Sequence, residues 1–265
     1  MKKLIVGNWK MDPQTTKEAA QIMRGAMGAA RQARGASIAI CPPFVYLTTL
    51  AALRIKSITL GAQDIFWEKE GAFTGEVSPG MLRDTKAKFV IIGHSERRAL
   101  RDTDEDISRK MRAALGSGLT PILCVGEPSR DNEGSHITFV RDQLRSALAG
   151  IKRSDAQNIV VAYEPIWAIG KKAVRPATTE EGMEMAIVIR KTLTDTFDRA
   201  TADATQILYG GSVNEKNARE FLFDAGMDGL LVGRASLSPK SFSTIIAAAE
   251  PLAKTIPKKL TKRRS

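Results

Sequence analysis

Eight short apolar, β-branched runs recur along the chain. They fall at residues 3–7 (KLIVG), 37–41 (SIAIC), 58–62 (ITLGA), 89–93 (FVIIG), 120–125 (TPILCV), 159–163 (IVVAY), 206–209 (QILY) and 229–232 (GLLV). None of them alternates apolar with polar residues, which predicts strands covered on both faces. Between them lie segments with apolar residues at helical spacing, at 17–34, 104–115, 137–148, 180–197, 214–225 and 240–253. Thr178 and Glu181 stand at capping-box spacing and predict that the helical segment after the sixth run begins there. Strands alternating with helices predict an α/β protein with a parallel sheet. Eight such units in 265 residues predict a closed (β/α)8 barrel, a single domain over 1–253, rather than an open doubly wound sheet.

Charge changes this picture only at one end. The net charge is +11, and six of the cations lie in residues 254–265 (KTIPKKLTKRRS), which hold no acid. This stretch predicts a disordered basic tail, a handle for a polyanion or simply a solvated end. No aromatic residue is interleaved there to stack bases, so nucleic acid binding is not expected beyond a weak role of the tail. The two cysteines, Cys41 and Cys124, each adjoin an apolar run and predict buried free thiols in a reducing cytoplasm. No stretch is long enough to span a membrane, and the opening MKKLIVGNWKMD does not read as a signal peptide.

In such a barrel the chemistry lies where strands end. After the first run come Asn8 and Lys10, two residues apart and so on one side of an extended backbone. Lys10 suits an oxyanion or a phosphate, or is an ordinary surface lysine. After the fourth run comes His94, at a strand-to-helix junction where the helix dipole disfavours imidazolium, followed by Ser95 and Glu96. A neutral imidazole there could donate to a substrate oxygen or merely cap the helix. Glu96 is placed to pair with Lys10 or a nearby Arg. After the sixth run comes Glu164, with Trp167 and Ile169 able to fold over it; desolvation would make it a better base. Glycine turns follow the last two runs, at Gly210-Gly211-Ser212 and Gly233-Arg234, and suit a phosphate. His136 sits in the polar stretch EPSRDNEGSH and is expected to face solvent. The sequence holds no Walker A, G-x-G-x-x-G after a strand, H-E-x-x-H or C-x-x-C, and too few Cys and His for zinc, so no metal is expected.

Several longer motifs stand in order along the chain: GNWKM (7–11), GAFTGEVS (71–78), IGHSERR (92–98), PILCVGE (121–127), AYEPIWAIG (162–170), YGGSV (209–213) and GRASL (233–237). Together they resemble the triosephosphate isomerase family up to about residue 250. The resemblance implies a single-domain TIM barrel that interconverts dihydroxyacetone phosphate and D-glyceraldehyde 3-phosphate without a cofactor, in glycolysis and gluconeogenesis. It implies Glu164 as the base, His94 as the neutral polarising group and Lys10 as the enediolate's cation. Asn8 would orient substrate, Glu96 would position Lys10, and Ser95 would hold Glu164 while the lid is open. Gly170, Ser212, Gly233 and Arg234 would bind the phosphate, and Ile169 and Leu231 would clamp over Glu164. The family's homodimer contact would use the loop around 63–76, with Thr74 reaching the partner's site.

Three departures stand out. The lid's second half, residues 171–177 (KKAVRPA), is longer than the family pattern by about two residues and lacks its Thr-Gly-Lys-Thr. Arg234 replaces a second glycine, and the basic tail has no counterpart. The longer lid keeps open an isomerase of a related ketose phosphate, such as a tetrulose phosphate. The tail keeps open a non-catalytic barrel that binds polyanions.

Overall fold

The computed structural model describes residues 1–100, 102–170 and 173–251. The basic tail at 254–265 therefore lies outside the described residues, as do Lys171 and Lys172 of the lid. Eight strands form a closed parallel barrel in sequence order: β1 (Lys3–Asn8), β2 (Ala36–Cys41), β3 (Thr59–Ala62), β4 (Phe89–Ile92), β5 (Thr120–Val125), β6 (Val160–Tyr163), β7 (Gln206–Tyr209) and β8 (Gly229–Val232). Closure comes from β1 pairing with β8, Leu4 opposite Gly229 and Gly7 opposite Val232.

Around the barrel run α1 (Thr16–Gln32), α2 (Phe44–Ala52), α3 (Pro79–Asp84), α4 (Ser95–Ala99), α5 (Asp104–Gly116) and α6 (Ser135–Leu148). They are followed by α7 (Arg153–Ala156), α8 (Thr179–Thr196), α9 (Arg199–Ala204), α10 (Ala218–Phe223) and α11 (Pro239–Ala248). Capping boxes start α5 (Thr103 with Asp106) and α8 (Thr178 with Glu181), the latter as its spacing predicts.

Four helices fall within two residues of their expected bounds. The segment 214–225 yields only the short α10, because Asn214 and Asn217 accept backbone N–H bonds and hold the start of the segment in a turn. The last helix stops at Ala248 rather than running to 253. Pro251 excludes the helical conformation at the residue before it.

Strand parity explains both the core and the site. Alternate residues point to opposite faces of a strand. One parity, including Leu4, Val6, Ile91, Ile122, Val160, Ala162, Leu208 and Leu231, packs together as the barrel's inner core. The other, including Ile5, Ile38, Val90, Leu123, Val161 and Leu230, packs under the helices. Both faces are apolar, so the strands read as continuous runs. Continuing the inward parity past each strand's last core residue leads to Asn8 after Val6, Glu164 after Ala162, Gly210 after Leu208 and Gly233 after Leu231. Those positions ring the mouth.

Candidate active site

The mouth holds a cleft of about 1030 Å³, lined by Asn8, Lys10, His94, Ser95, Glu96, Glu164, Ile169, Gly170, Ser212, Leu231, Gly233 and Arg234. These are the twelve residues singled out from the strand ends and from the resemblance, brought together from five strands.

Lys10 is held from both sides. Its φ is 56°, a left-handed conformation unusual for a lysine. The Asn8 side chain accepts from the Lys10 N–H at 3.1 Å, and Gln63 Nε2 donates to the Lys10 carbonyl at 2.8 Å and to the Cys41 carbonyl at 2.9 Å. The ammonium reaches Glu96 Oε1 at 2.5 Å while remaining partly exposed to the cleft. Gln63 was not among the residues expected to support the site. Its role depends on a backbone carbonyl, which leaves no trace in sequence.

His94 caps the one-turn helix α4. Its Nδ1 accepts from the Glu96 N–H at 3.2 Å. That bond places the lone pair on Nδ1 and the proton of the neutral ring on Nε2. Nε2 faces Glu164 Oε1 at 3.2 Å. Glu164 is nearly fully buried, and its other oxygen accepts from the Ser95 backbone N–H at 3.1 Å. The contact expected of Ser95 is therefore made by its amide.

Two glycines make room for this residue, Gly210 for its side chain and Gly126 for its backbone. A Cβ at Gly210 would stand 2.9 Å from Glu164 Cγ, and one at Gly126 would stand 1.8 Å from the Glu164 carbonyl oxygen. Cys124 lies buried beside it. Burial, and then the neighbouring Glu164 charge, push its thiol well above the usual range and keep it protonated.

The opposite wall offers donors. The N–H groups of Gly170, Ser212 and Gly233 donate to no acceptor among the described residues. The Ser212 hydroxyl donates to the Ala168 carbonyl at 2.6 Å, which ties this turn to the lid's first hinge. Gly170 itself has φ 73°. Unengaged amides beside an arginine are the kind of donors an anion requires.

Trp167 does not fold over Glu164. Its Nε1 donates to Glu127 Oε1 at 2.8 Å, away from the cleft, and Ile166 and Ile169 line the cleft instead. Glu127 is fully buried and also accepts from Tyr163 Oη at 2.8 Å and from Arg130 Nε at 3.0 Å. This anchor was missed, although Glu127 follows β5 just as Glu164 follows β6. Burial and the Glu127 charge push the Tyr163 hydroxyl far up, so it stays a donor. His136 is also misplaced by the sequence reading. It lies inside the first turn of α6, buried, with Nε2 3.5 Å from Glu184. The polar residues around it face water, and the helix turns this one inward.

Arg175 joins the two hinges of the lid. Its guanidinium lies 4.6 Å from the centre of the Trp167 ring and makes two bonds to Glu181, at 2.5 and 3.0 Å. That contact holds the Glu181 carboxyl below its usual range. The pair therefore contributes above about pH 4 and is lost as pH falls through the lowered value. A cation–π contact and an exposed ion pair are both weak contacts that screening reduces further. Arg175→Gln is therefore expected to change kcat or KM about threefold to tenfold with an unchanged melting temperature. Unchanged kinetics would remove the latch.

Among the described residues, no group of three or more His, Cys, Asp or Glu could hold a metal ion, and no helix is long and apolar enough to cross a membrane. The sequence model of the triosephosphate isomerase family matches residues 3–249. Proteins named triosephosphate isomerase are similar along nearly their whole length. The one from Carboxydothermus hydrogenoformans is 45% identical over 92% of this chain and 98% of its own. That from Roseiflexus sp. (strain RS-1) is 46% identical over 92% and 96%. That from Dehalococcoides mccartyi is 45% identical over 95% and 98%. By motif order, barrel topology and these likenesses, the chain belongs to the triosephosphate isomerase family.

Proposed function

We propose that this chain interconverts dihydroxyacetone phosphate and D-glyceraldehyde 3-phosphate through an enediolate, with no cofactor. The observation that carries it is a buried carboxylate, a histidine whose Nε2 faces that carboxylate at 3.2 Å, and a lysine, all lining one cleft whose far wall is rich in unengaged amides. Glu164 takes a proton from the carbon beside the carbonyl and returns it to the former carbonyl carbon. His94 donates Nε2–H to the carbonyl oxygen and then relays the hydroxyl proton between the two oxygens. Lys10 places its charge where the oxyanion develops. Asn8 holds Lys10's backbone and orients substrate, and Glu96 positions the ammonium. Gly170, Ser212, Gly233 and Arg234 take the phosphate. Ile169 and Leu231 exclude water from Glu164.

The same reading makes the protein a cytoplasmic homodimer. The loop from Gln63 to Glu76 carries the aromatic cluster Phe66, Trp67 and Phe73, and Phe73 is exposed, as are Met11, Val45 and Met81. The free buried thiols of Cys41 and Cys124 suit a reducing compartment.

A coupled assay with glyceraldehyde 3-phosphate, run beside a tetrulose phosphate, tests the reaction. Fast turnover of the triose alone is expected. Preference for the tetrulose would shift the assignment to the longer lid, and no turnover of either would end it. Sedimentation of the same sample should give the mass of two chains; a fully active monomer would remove Thr74 from the site.

A further inference from the structure

At the end of the barrel away from the catalytic cleft, the starts of β2 and β3 and the ends of α1 and α2 enclose a second cleft of about 670 Å³. Lys2, Arg31, Arg54 and Lys56 line it, and no Asp or Glu does. All four are exposed, and none makes an ion pair among the described residues. Ser57 also lines the cleft, and its hydroxyl oxygen is buried without a hydrogen-bond partner among the described residues. Arg54 is held at φ 48°, so the backbone turn that presents it is strained.

One cation near a helix C-terminus is ordinary. Two helix ends supply about one negative charge in total, which leaves about three of the four cations uncompensated. Like charges held in one concave site repel each other unless an anion joins them. The volume falls in the range of small-molecule sites. Met27, Ile38, Leu53 and Ile55 add an apolar strip along it.

From these observations we infer that the cleft binds a small soluble polyphosphate, free or as the triphosphate of a nucleotide. Such a group carries about four negative charges at neutral pH, enough to meet the three uncompensated cations, where a single phosphate carries at most about two. The site is separate from the catalytic mouth, which lies at the other ends of the same strands.

Equilibrium dialysis of the full chain with inorganic tripolyphosphate, at low and at high salt, tests this. The wild type should bind at low salt and lose affinity as salt rises. The variant Arg31→Gln/Lys56→Gln should bind at least tenfold more weakly with unchanged isomerase kinetics. Those kinetics report both an intact fold and an undisturbed catalytic mouth. Lys2→Gln/Lys56→Gln gives the same reading should the first pair fail to fold. A nucleoside triphosphate that binds as tightly as tripolyphosphate assigns recognition to the phosphates alone; one that binds more tightly assigns the apolar strip to its base. Three results would overturn the inference: no binding at low salt, affinities of wild type and cleft variant within twofold of each other, or binding of an oligonucleotide but not of tripolyphosphate.

Discussion

Glu164→Gln lowers kcat by about a thousandfold to ten-thousandfold while KM for the triose phosphate stays within a few-fold of wild type. The amide keeps the shape of the side chain, so it still fits the space left by Gly210. Its oxygen still accepts from the Ser95 N–H, at the position where Glu164 Oε2 now sits. What it lacks is the ability to take a proton. Glu164→Asp separates the two properties. It keeps a base but draws it back by one carbon–carbon bond, away from His94 Nε2, which stands at 3.2 Å in the wild type. Its turnover should fall between wild type and Gln, with phosphate binding unchanged, because the amides of Gly170, Ser212 and Gly233 are untouched. Steady-state kinetics with a phosphate competitor measure both. Equal losses of turnover and of competitor affinity would show that Glu164 shapes the cleft rather than moving the proton.

The second large effect falls on Lys10. Lys10→Met should lower kcat/KM by about a hundredfold to a thousandfold, the scale seen when one preorganised partner of a developing oxyanion is removed. Stability should hardly move. The Lys10–Glu96 pair is partly open to solvent, and pairs of that kind contribute little. Glu96 would simply return to water. Glu96→Gln, by contrast, leaves the ammonium in the cleft without its anchor and should cost far less, in KM and kcat together. If the glutamine variant is as damaged as the methionine variant, Glu96 has a chemical part of its own. Thermal melts beside the kinetics separate either result from loss of fold.

These residues were legible because they stand at strand ends, where the closed barrel forces each inward parity toward one mouth. They stand out as the residues that directly follow apolar runs and by the family motifs, and the structure shows Asn8 following Val6 and Glu164 following Ala162 in register with the inner core. The supporting contacts were not legible for a matching reason. Gln63 acts on the carbonyls of Lys10 and Cys41, and Glu127 receives the indole of Trp167 from 40 positions away. Contacts that span the chain leave no local pattern. Trp167 was therefore expected over Glu164, when its one polar atom needed a buried acceptor that lay elsewhere. One-turn helices such as α4 and α7 are too short to show a period. His136 failed in the opposite sense. The hydrophilic residues beside it read as a loop, but Gly134, with φ 78°, starts a helix that carries the ring inside.

The pairing of β1 with β8 has a consequence for synthesis. Leu4 finds its neighbour only when Gly229 has been made. Until then β1 and the newest strand each present a row of unpaired backbone groups, and the growing sheet is open on both sides. A ribosome-bound chain halted before β8 should accordingly stick to other chains, while the finished one, with no edge left in its barrel, should not.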